Sequence, residues 1–369
     1  MLEYIFIAFI AILGIQFIYY IFIFGAFSFA SKAPKQATFN IPVSVIICAK
    51  NEAQNLTTNI PLFINQNYSN FELVLINDGS NDHSLEVMEQ FQQTHPEQIK
   101  IVNVAPNEQF WGSKKYALTL GIKAATNEHL LFTDADCKPV SNNWITEMTQ
   151  HFSEDKELIL GYGGYKKIRN SFLNKIIRFE TLITAIQYFS FAKIGMPYMG
   201  VGRNLAYTKN LFFTNKGFVN HIKIKSGDDD LFVNQVANKK NTTFCFSNNS
   251  STISNPKTTF KSWIQQKRRH ISTASHYKKT HKLLLGLFYT SQLLFWVLGI
   301  LLLSFLYKWQ FVVALIIFRS CFHYISIGFA AKKLNEKDVI LFLPFYELFL
   351  IFVQLFIFIK NIRSKPSHW

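Results

Sequence analysis

The chain has 369 residues and a formal net charge of +15, from 38 Lys and Arg against 23 Asp and Glu. Hydrophobic residues make up 49% of it and charged residues only 17%, which excludes a disordered or linker-like chain. The four cysteines include no CxxC pair, so a zinc ribbon or a disulfide scaffold is disfavoured and a reducing compartment is expected.

An apolar run opens the chain, from Leu2 to Phe29, with Glu3 as its only charge. It exceeds the about 20 residues that span a bilayer. A signal peptide would have a basic start and a short apolar stretch, whereas here the basic residues Lys32 and Lys35 follow a long run. We therefore expect an uncleaved transmembrane helix over 1–30, with the residues after it in the cytoplasm.

A soluble α/β domain is predicted over 39–255. Helical stretches such as Glu52–Gln66 and Asp82–Gln93 alternate with short apolar runs, and this alternation predicts a doubly wound parallel sheet. The predicted strands are Ile41–Cys48, Phe71–Ile76, Ile99–Val104 and Glu128–Phe132. Ligands bind such sheets at the carboxyl ends of the strands, which is where the polar motifs of this sequence fall.

Two of these motifs follow the first two predicted strands. Asn51 and Glu52 end the sequence Cys48-Ala49-Lys50-Asn51-Glu52, and Asp78 stands in Asn77-Asp78-Gly79-Ser80. The glycine after Asp78 allows a sharp turn. The Asp78 carboxylate could accept hydrogen bonds from a base or a ribose, although a plain turn with a helix N-cap would use the same residues.

A third motif, Phe132-Thr133-Asp134-Ala135-Asp136, ends an apolar strand. In extended backbone, side chains two apart point the same way, so Asp134 and Asp136 should face one pocket while Ala135 turns into the core. Two neighbouring carboxylates repel and are costly to bury unless a cation lies beside them. Mg²⁺ and Mn²⁺ prefer such oxygen ligands, and a solvated turn is the alternative.

A fourth motif, Gly227-Asp228-Asp229-Asp230-Leu231, places three acids together in a basic chain. Neighbouring charges raise the pKa of a carboxylate, which suits it to act as a general base. Acidic residues are also favoured at a helix N-terminus by the helix dipole. We expect Asp228 to cap a helix and Asp229 to be catalytic.

The segment 256–282 contains eight Lys or Arg and no acid, with aromatic residues interleaved. It leads directly into an apolar run, so a basic amphipathic interfacial segment is predicted, and a membrane-tethered nucleic-acid binder is disfavoured. An arginine of this segment beside a diphosphate would stabilise the negative charge of a leaving group.

About three transmembrane helices are expected over 283–361, each about 20 residues or longer. The apolar runs are Leu283–Tyr307, Phe311–Ala331 and Val339–Ile359. The third helix would leave the cytoplasm and strand Lys360 and Arg363 outside. Pro344 and Glu347 also interrupt that run, so spanning the membrane, lying in the interface and packing in a bundle all stay open for it.

The motifs AKNE, NDGS, DAD, GVGRNLAY, GDDD and QKRRH, in this order, resemble the family 2 glycosyltransferases with the GT-A fold over roughly Val43–His270. The resemblance implies a Rossmann-like nucleotide-binding half plus an acceptor half. It implies inverting transfer from a UDP- or GDP-linked sugar, with Mg²⁺ or Mn²⁺, to a lipid, lipid-linked or glycan acceptor. It further implies a multi-pass protein of the inner (cell) membrane with its catalytic domain cytoplasmic, and no nucleic-acid partner.

The resemblance also assigns roles residue by residue. Asp229 resembles the residue that serves as the general base in the family. Arg269 resembles the residue that stabilises the departing diphosphate. Asp134 and Asp136 resemble the metal-binding DxD pair of the family, with Asp136 as the direct metal ligand. The nucleotide-sugar contacts are Asn51, Glu52, Asp78, Lys114 and Asp134. The acceptor-side residues are Gly202, Asn204, Asp228, Gln266 and His270.

One departure from the family pattern concerns a Q-x-x-R-W-type motif, in which His270 stands where Trp is usual. Gln266 and Arg269 supply its other members, although another register pairs Gln265 with Arg268. We favour the first register because the Ile-Ser-Thr that follows also resembles the family. The missing Trp disfavours a processive β-glycan synthase, which stays the alternative function, and an inactive transferase-fold membrane scaffold is a third hypothesis.

Overall fold

The computed structural model describes residues 1–31, 40–105 and 113–364. Lys32, Lys35 and the expected domain start at Phe39 lie outside these ranges. Contacts divide the chain into two compact units. The first, the helical unit, takes in Met1–Ser31, Ser171–Ile194 and the chain from Thr258 onward, and the second, the α/β unit, takes in the other described residues.

The described residues of the α/β unit form ten strands. They are β1 (Val43–Ala49), β2 (Phe71–Asp78), β3 (Ile99–Val104), β4 (His129–Asp134), β5 (Cys137–Pro139), β6 (Leu158–Leu160), β7 (Gly163–Tyr165), β8 (Leu205–Thr208), β9 (Thr242–Phe244) and β10 (Thr252–Ser254). Seven form one sheet in the order β3-β2-β1-β4-β8-β6-β9, and three form a second in the order β5-β10-β7. Strands β1 to β4 are mutually parallel, and β8 runs antiparallel to β4 and β6. The predicted α/β class and the parallel strands of the doubly wound half are thereby confirmed, and the antiparallel β8 makes the whole sheet a mixed one.

The helices of both units follow in chain order. They are α1 (Leu2–Phe17), α2 (Phe24–Ser28), α3 (Ala53–Ile64), α4 (Ser84–Thr94), α5 (Ser113–Ala124), α6 (Trp144–Thr149), α7 (Phe172–Lys193), α8 (Lys209–Thr214), α9 (Asp230–Val236), α10 (Phe260–Thr273), α11 (Lys279–Ser304), α12 (Trp309–Lys333) and α13 (Leu343–Arg363). A π-helical turn, Ile18–Ile23, joins α1 to α2.

Burial on both faces explains why the central strands are apolar along their whole length. Val45 of β1, Leu73 of β2 and Leu131 of β4 are fully buried in one core, which Trp144 of α6 completes. Ala135 packs into the same core directly after β4, as the alternation of side chains predicts.

The register of the sheet brings the polar motifs to one edge. Cys48 of β1 pairs with Asp134 of β4, and Ala49 pairs with Asn77 of β2. The chain therefore leaves β1, β2 and β4 at the same level, and the residues that follow these strands share one end of the sheet.

Within the described part of the helical unit, four helices are long and apolar enough to cross a membrane. They are Leu2–Ser28, Lys279–Ser304, Trp309–Lys333 and Leu343–Arg363. One is N-terminal and three are C-terminal, which agrees with the four apolar runs of the sequence.

Helix α7 belongs to the helical unit, a placement that the sequence analysis did not anticipate. The ring of Phe189 lies 4.9 Å from that of Phe27 at the end of the N-terminal helix. The Ser190 hydroxyl donates to the Phe24 carbonyl at 3.4 Å. The chain thus leaves the α/β unit after Asn170 and returns to it at Gly195.

Candidate functional site

The loops after β1 and β2 are tied together by hydrogen bonds. Asn51 has a left-handed backbone, with φ of 58°. Its N–H donates to the Ser80 hydroxyl at 3.0 Å, and its side-chain oxygen accepts from the Asn81 N–H at 2.8 Å. Asparagine adopts this conformation more readily than most residues. The residue predicted to contact the nucleotide thus also holds the two loops in place.

Glu52 and Asp78 lie on the same two loops. Glu52 accepts a hydrogen bond from Asn55 Nδ2 at 2.5 Å. Burial raises the pKa of Glu52, the bond from Asn55 lowers it, and the nearby charges of Asp136 and Asp134 raise it again. Asp78 is the last residue of β2 and is buried. Glu52 therefore shares its electrostatic environment with the paired aspartates.

The paired aspartates form a compact group with the cysteine that follows them. One potential ligand atom from each of Asp134, Asp136 and Cys137 lies within 4.8 Å of the others. Burial raises the pKa of Asp136, and the charge of Asp134 raises it further. The buried Cys137 thiol donates to Asp136 at 3.4 Å. Two carboxylates that repel each other in this way suggest a divalent-cation site.

Lys114, near the start of α5, bridges two of the motifs. Its Nζ lies 3.0 Å from Asp134 Oδ1 and 3.0 Å from Asp228 Oδ2. Burial lowers the pKa of Lys114, but the two carboxylates outweigh it and the pKa lies well above the usual value. The ammonium group is therefore charged and partly neutralises both acidic motifs.

Asp229 is the N-cap of α9. Its Oδ1 accepts from the Asp230 N–H and its Oδ2 from the Gly202 N–H, both at 2.7 Å. The expectation that Asp228 caps this helix is therefore wrong, since Asp228 instead pairs with Lys114. The cap satisfies a backbone donor at the helix start and holds the Asp229 carboxylate in one orientation.

The pKa of Asp229 is raised to about 7. Burial is the main cause, and the charges of Asp228 and Asp230 add to it, against the bond from Gly202. A carboxylate with a pKa near neutrality can both accept a proton and hold it during a reaction.

Gly202 and Asn204 lie in the loop before β8, and the two positions have different surroundings. A Cβ at Gly202 would stand 3.4 Å from Asp229 Oδ2, so this loop lies directly against the carboxylate. Asn204 is fully buried. Its amide nitrogen donates to the Tyr162 and Ser250 carbonyls at 2.9 and 2.7 Å, and its oxygen accepts from the indole of Trp144 at 3.1 Å.

A small cavity of about 20 Å³ lies among these groups. Lys114, Asp134, Asp228, Asp229 and Gly202 line it, together with residues of β1, β4 and β8 and Leu118 of α5. The structure thus brings together four of the predicted site residues and the loop glycine around one point at the carboxyl end of the sheet.

Gln266, Arg269 and His270 lie on α10 in the helical unit. Two neighbouring cations of this helix have structural partners within the same unit. Lys267 forms an ion pair with Glu180 of α7, and Arg268 donates to Asn361 Oδ1 at 2.9 Å. Arg268 thus contacts α13.

Arg203 neighbours the site. It stands in the GVGRNLAY motif, but the sequence alone assigns it no role. Its guanidinium lies over the Tyr165 ring at 4.3 Å and donates to the Gly164 carbonyl and the Ser254 hydroxyl. Its charge also bears on Asp136. The signal available was its position in the Gly200–Asn204 loop, but a single arginine there does not reveal that it stacks beside the second aspartate.

Residues 44–217 match the family model described as Glycosyl transferase family 2. The chain carries a family 2 glycosyltransferase domain. An uncharacterized glycosyltransferase of Haemophilus influenzae is 34% identical over 128 residues, which cover 34% of this chain and 37% of that protein. A poly-beta-1,6-N-acetyl-D-glucosamine synthase of Staphylococcus epidermidis is 28% identical over 149 residues, covering 39% of this chain and 34% of that protein. The match thus spans about a third of the length of these relatives.

A solved structure resembles the chain over nearly its whole length. The mannosyltransferase PcManGT from Pyrobaculum calidifontis, in complex with GDP-Man and Mn²⁺, covers 91% of this chain and 99% of its own. The TM-score is 0.60 and the sequence identity 18%. At this identity the likeness concerns the fold alone, and it confirms the predicted GT-A fold of the glycosyltransferase domain.

Proposed function

We propose that the protein is an inverting glycosyltransferase that moves a sugar from a nucleotide-diphosphate sugar to a lipid, lipid-linked or glycan acceptor at the cytoplasmic membrane face. The observation that carries the proposal is the Asp229 carboxylate. It faces the cavity at the carboxyl end of the sheet, is oriented by two backbone N–H groups, and has a pKa of about 7.

The proposed chemistry is a single displacement. Asp229 takes the proton of the acceptor hydroxyl as its oxygen bonds to the anomeric carbon. The bond between that carbon and the diphosphate oxygen breaks at the same time, and the nucleoside diphosphate leaves with the electron pair. Attack from the side opposite the leaving group inverts the anomeric configuration. A base of this kind typically accelerates a reaction by about 10²–10⁴-fold.

The donor contacts that we propose are Asn51, Glu52, Asp78, Lys114 and Asp134. Lys114 is fitted to this role because it is charged and placed 3.0 Å from Asp134, beside the proposed diphosphate position. Arg269 of α10 is proposed to stabilise the leaving group. PcManGT, which resembles this chain in fold, binds the nucleotide sugar GDP-Man.

Asp136 and Asp134 would hold a divalent cation, which would offset the charge of the diphosphate when bound. Carboxylate oxygens suit Mg²⁺ and Mn²⁺. The Cys137 thiol is protonated, because burial raises its pKa well above the usual range, and it donates to Asp136.

On the acceptor side we propose Gly202, Asp228, Gln266 and His270. Asn204 has a different place in the proposal, because its fully buried amide is used in three hydrogen bonds within the α/β unit. We propose it as a positioning residue that holds the Gly202 loop against Asp229.

A processive synthase of a β-linked polysaccharide is the second candidate. The similarity to the poly-beta-1,6-N-acetyl-D-glucosamine synthase of Staphylococcus epidermidis favours it. The histidine at position 270 argues for single transfer. It replaces the tryptophan that helps to hold a growing glycan in chain-elongating members of the family.

The test is incubation of membranes containing the protein with labelled UDP- and GDP-sugars, with MnCl₂ or MgCl₂ present, followed by extraction with organic solvent. Label in the organic phase from one donor, absent with the Asp229→Asn variant, is the expected result. A long labelled polymer on a gel would select the synthase instead. No transfer from any donor, with folded protein in the membrane, would refute the glycosyltransferase proposal.

A further inference from the structure

The helical unit has two ends that differ in their contacts. At the turn end, Lys308 and Tyr307 of the α11–α12 turn donate to Glu3 at the start of α1, Lys308 at 3.0 Å. At the domain end, Lys333 at the end of α12 donates to the Ala30 carbonyl at 2.5 Å. The domain end is thus the end of the helical unit at which α2 and α12 end.

Two helices besides the N-terminal one connect these ends. Gln16 Nε2 donates to the Ser291 carbonyl at 2.8 Å, and the rings of Phe9 and Phe295 stack at 5.0 Å. Helix α11 therefore runs antiparallel to α1, from the domain end to the turn end. Helix α12 returns from the turn to Lys333 at the domain end.

Helix α13 begins part of the way along α12. The Tyr324 hydroxyl donates to the Leu341 carbonyl at 3.3 Å just before the helix. Glu347, in its first turns, accepts from Arg319 Nη1 at 2.7 Å and from Gln292 Nε2 at 2.8 Å. Both partners lie near the middle of their own helices, so the N-terminal part of α13 is inserted in the bundle.

The C-terminal end of α13 contacts α10. Arg268 donates to Asn361 Oδ1 at 2.9 Å and to the Ser364 carbonyl at 2.6 Å, and Asn361 Nδ2 donates to the Arg268 carbonyl at 3.1 Å. Helix α10 precedes α11, which the chain enters at Lys279 at the domain end. Asn361 follows Glu347 by 14 positions, which is about 21 Å of helix, and the helix runs toward α10 over this length.

We propose that α13 does not cross the membrane but lies in the leaflet at the domain end, with its C-terminus on the same side as the ends of α2 and α12. The surface that it offers suits an anionic lipid leaflet. Phe345, Phe352 and Phe356, spaced by seven and four residues, share one face and are 55%, 62% and 50% exposed. Lys360 and Arg363 follow at the end of the helix, where headgroups lie.

Two costs of a crossing helix are avoided in this arrangement. Lys360 and Arg363 join the other cations of the domain end instead of being placed across the membrane. Glu347, a charge that is costly in hydrocarbon, is buried and paired with Arg319 within the bundle. Glu347 within the apolar run and the cations at its end made the topology ambiguous in the sequence. Both are accommodated by a helix whose C-terminus stays at the domain end.

The test is cysteine accessibility in the full chain, expressed in bacterial membranes and treated with a membrane-impermeant maleimide. Ser364→Cys is the test position, Leu306→Cys the matched control at the turn end, and Asp155→Cys the matched control in the α/β unit; all three native residues are exposed. We expect Ser364→Cys to react only after permeabilisation, as Asp155→Cys does, while Leu306→Cys reacts in intact spheroplasts. Labelling of Ser364→Cys in intact spheroplasts would overturn the proposal.

The lipid contact has its own readout. Phe352→Cys should stay unlabelled after permeabilisation and react only in detergent, whereas its labelling in permeabilised membranes would show that the helix lies outside the bilayer. C-terminal fusions of the unaltered chain guard against misfolding of the variants. We expect a C-terminal GFP fusion to fluoresce and a C-terminal alkaline phosphatase fusion to be inactive, as for a C-terminus in the cytoplasm. The reverse pattern would show that α13 crosses the membrane and would refute the proposal.

Discussion

Replacing Asp228 by Asn should move the acid limb of the pH–rate profile toward lower pH. Asp229 must be deprotonated to accept the proton of the acceptor hydroxyl. The value of kcat/KM should therefore be low below its pKa of about 7 and reach a plateau above it. The charge of Asp228 is one cause of this raised pKa, so its removal lets Asp229 ionise at lower pH.

The size of the change follows from the surroundings of the two carboxylates. Burial, the largest cause of the raised pKa, is unchanged in an Asp228→Asn variant. Carboxylates of adjacent residues lie on the order of 6–8 Å apart and repel by roughly 2 kcal/mol at an effective dielectric of about 20. Since about 1.4 kcal/mol corresponds to one pH unit, the limb should move down by about 1 to 2 pH units. Lys114, freed from one of its two partners, acts in the same direction.

The assay is kcat/KM for sugar transfer in membranes between pH 5 and 9. Asp155→Asn is the matched control, because it removes one carboxylate from an exposed loop of the same unit and should leave the limb in place. The plateau of Asp228→Asn is expected to fall, since Asp228 also belongs to the proposed acceptor side. An acid limb that stays at its original pH, or moves upward, would refute the electrostatic reasoning.

Three further predictions concern the metal, the loop and α10. Asp136→Asn should remove most Mn²⁺- or Mg²⁺-dependent turnover, because a neutral amide is a weak ligand; near-normal activity of the parent in EDTA would contradict this. Asn204→Ala should cost about 2–4 kcal/mol of stability, because three buried groups lose their partners, and an unchanged Tm in detergent would speak against it. Arg269→Ala should lose turnover while the protein stays membrane-bound, whereas Lys278→Ala should be mild; equal effects on labelled product would show that α10 only tethers the domain.

The sheet and its motifs could be predicted because the central strands are mostly apolar and polar residues stand at or just after the ends of β1, β2 and β4. Asp78 and Asp134 end β2 and β4 as the pattern requires, and Ala135 turns into the core. Side-chain alternation and the geometry of parallel sheets decide these features locally.

The roles of neighbouring like residues could not be predicted in the same way. Asp228 and Asp229 are chemically alike, and which of them caps α9 depends on where the helix begins, to within one residue. Arg268 and Arg269 pose the same difficulty, because the contact of Arg268 with Asn361 of α13 is not visible in the sequence. Such choices depend on partners that are distant in sequence.

The membership of α7 in the helical unit could not be predicted from the sequence either. Its 22 residues carry apolar side chains broken by charges, which suits a soluble helix as well as one at a membrane bundle. Arg178 is buried between Glu336 and Asp338 of the α12–α13 connection, to which it donates through three of its nitrogens. Neither the length nor the periodicity of the helix could identify partners that lie more than 150 residues away.

The most direct test of the proposed function separates donor binding from transfer in an Asp229→Asn variant. Binding of the labelled nucleotide sugar to membranes is measured together with transfer of the label to acceptor in the same samples. We predict that the variant binds the donor like the parent and that transfer falls by about 10²–10⁴-fold, because the acceptor proton has no base to go to. Transfer at the parental rate with unchanged donor binding would contradict the assignment of Asp229 as the catalytic base.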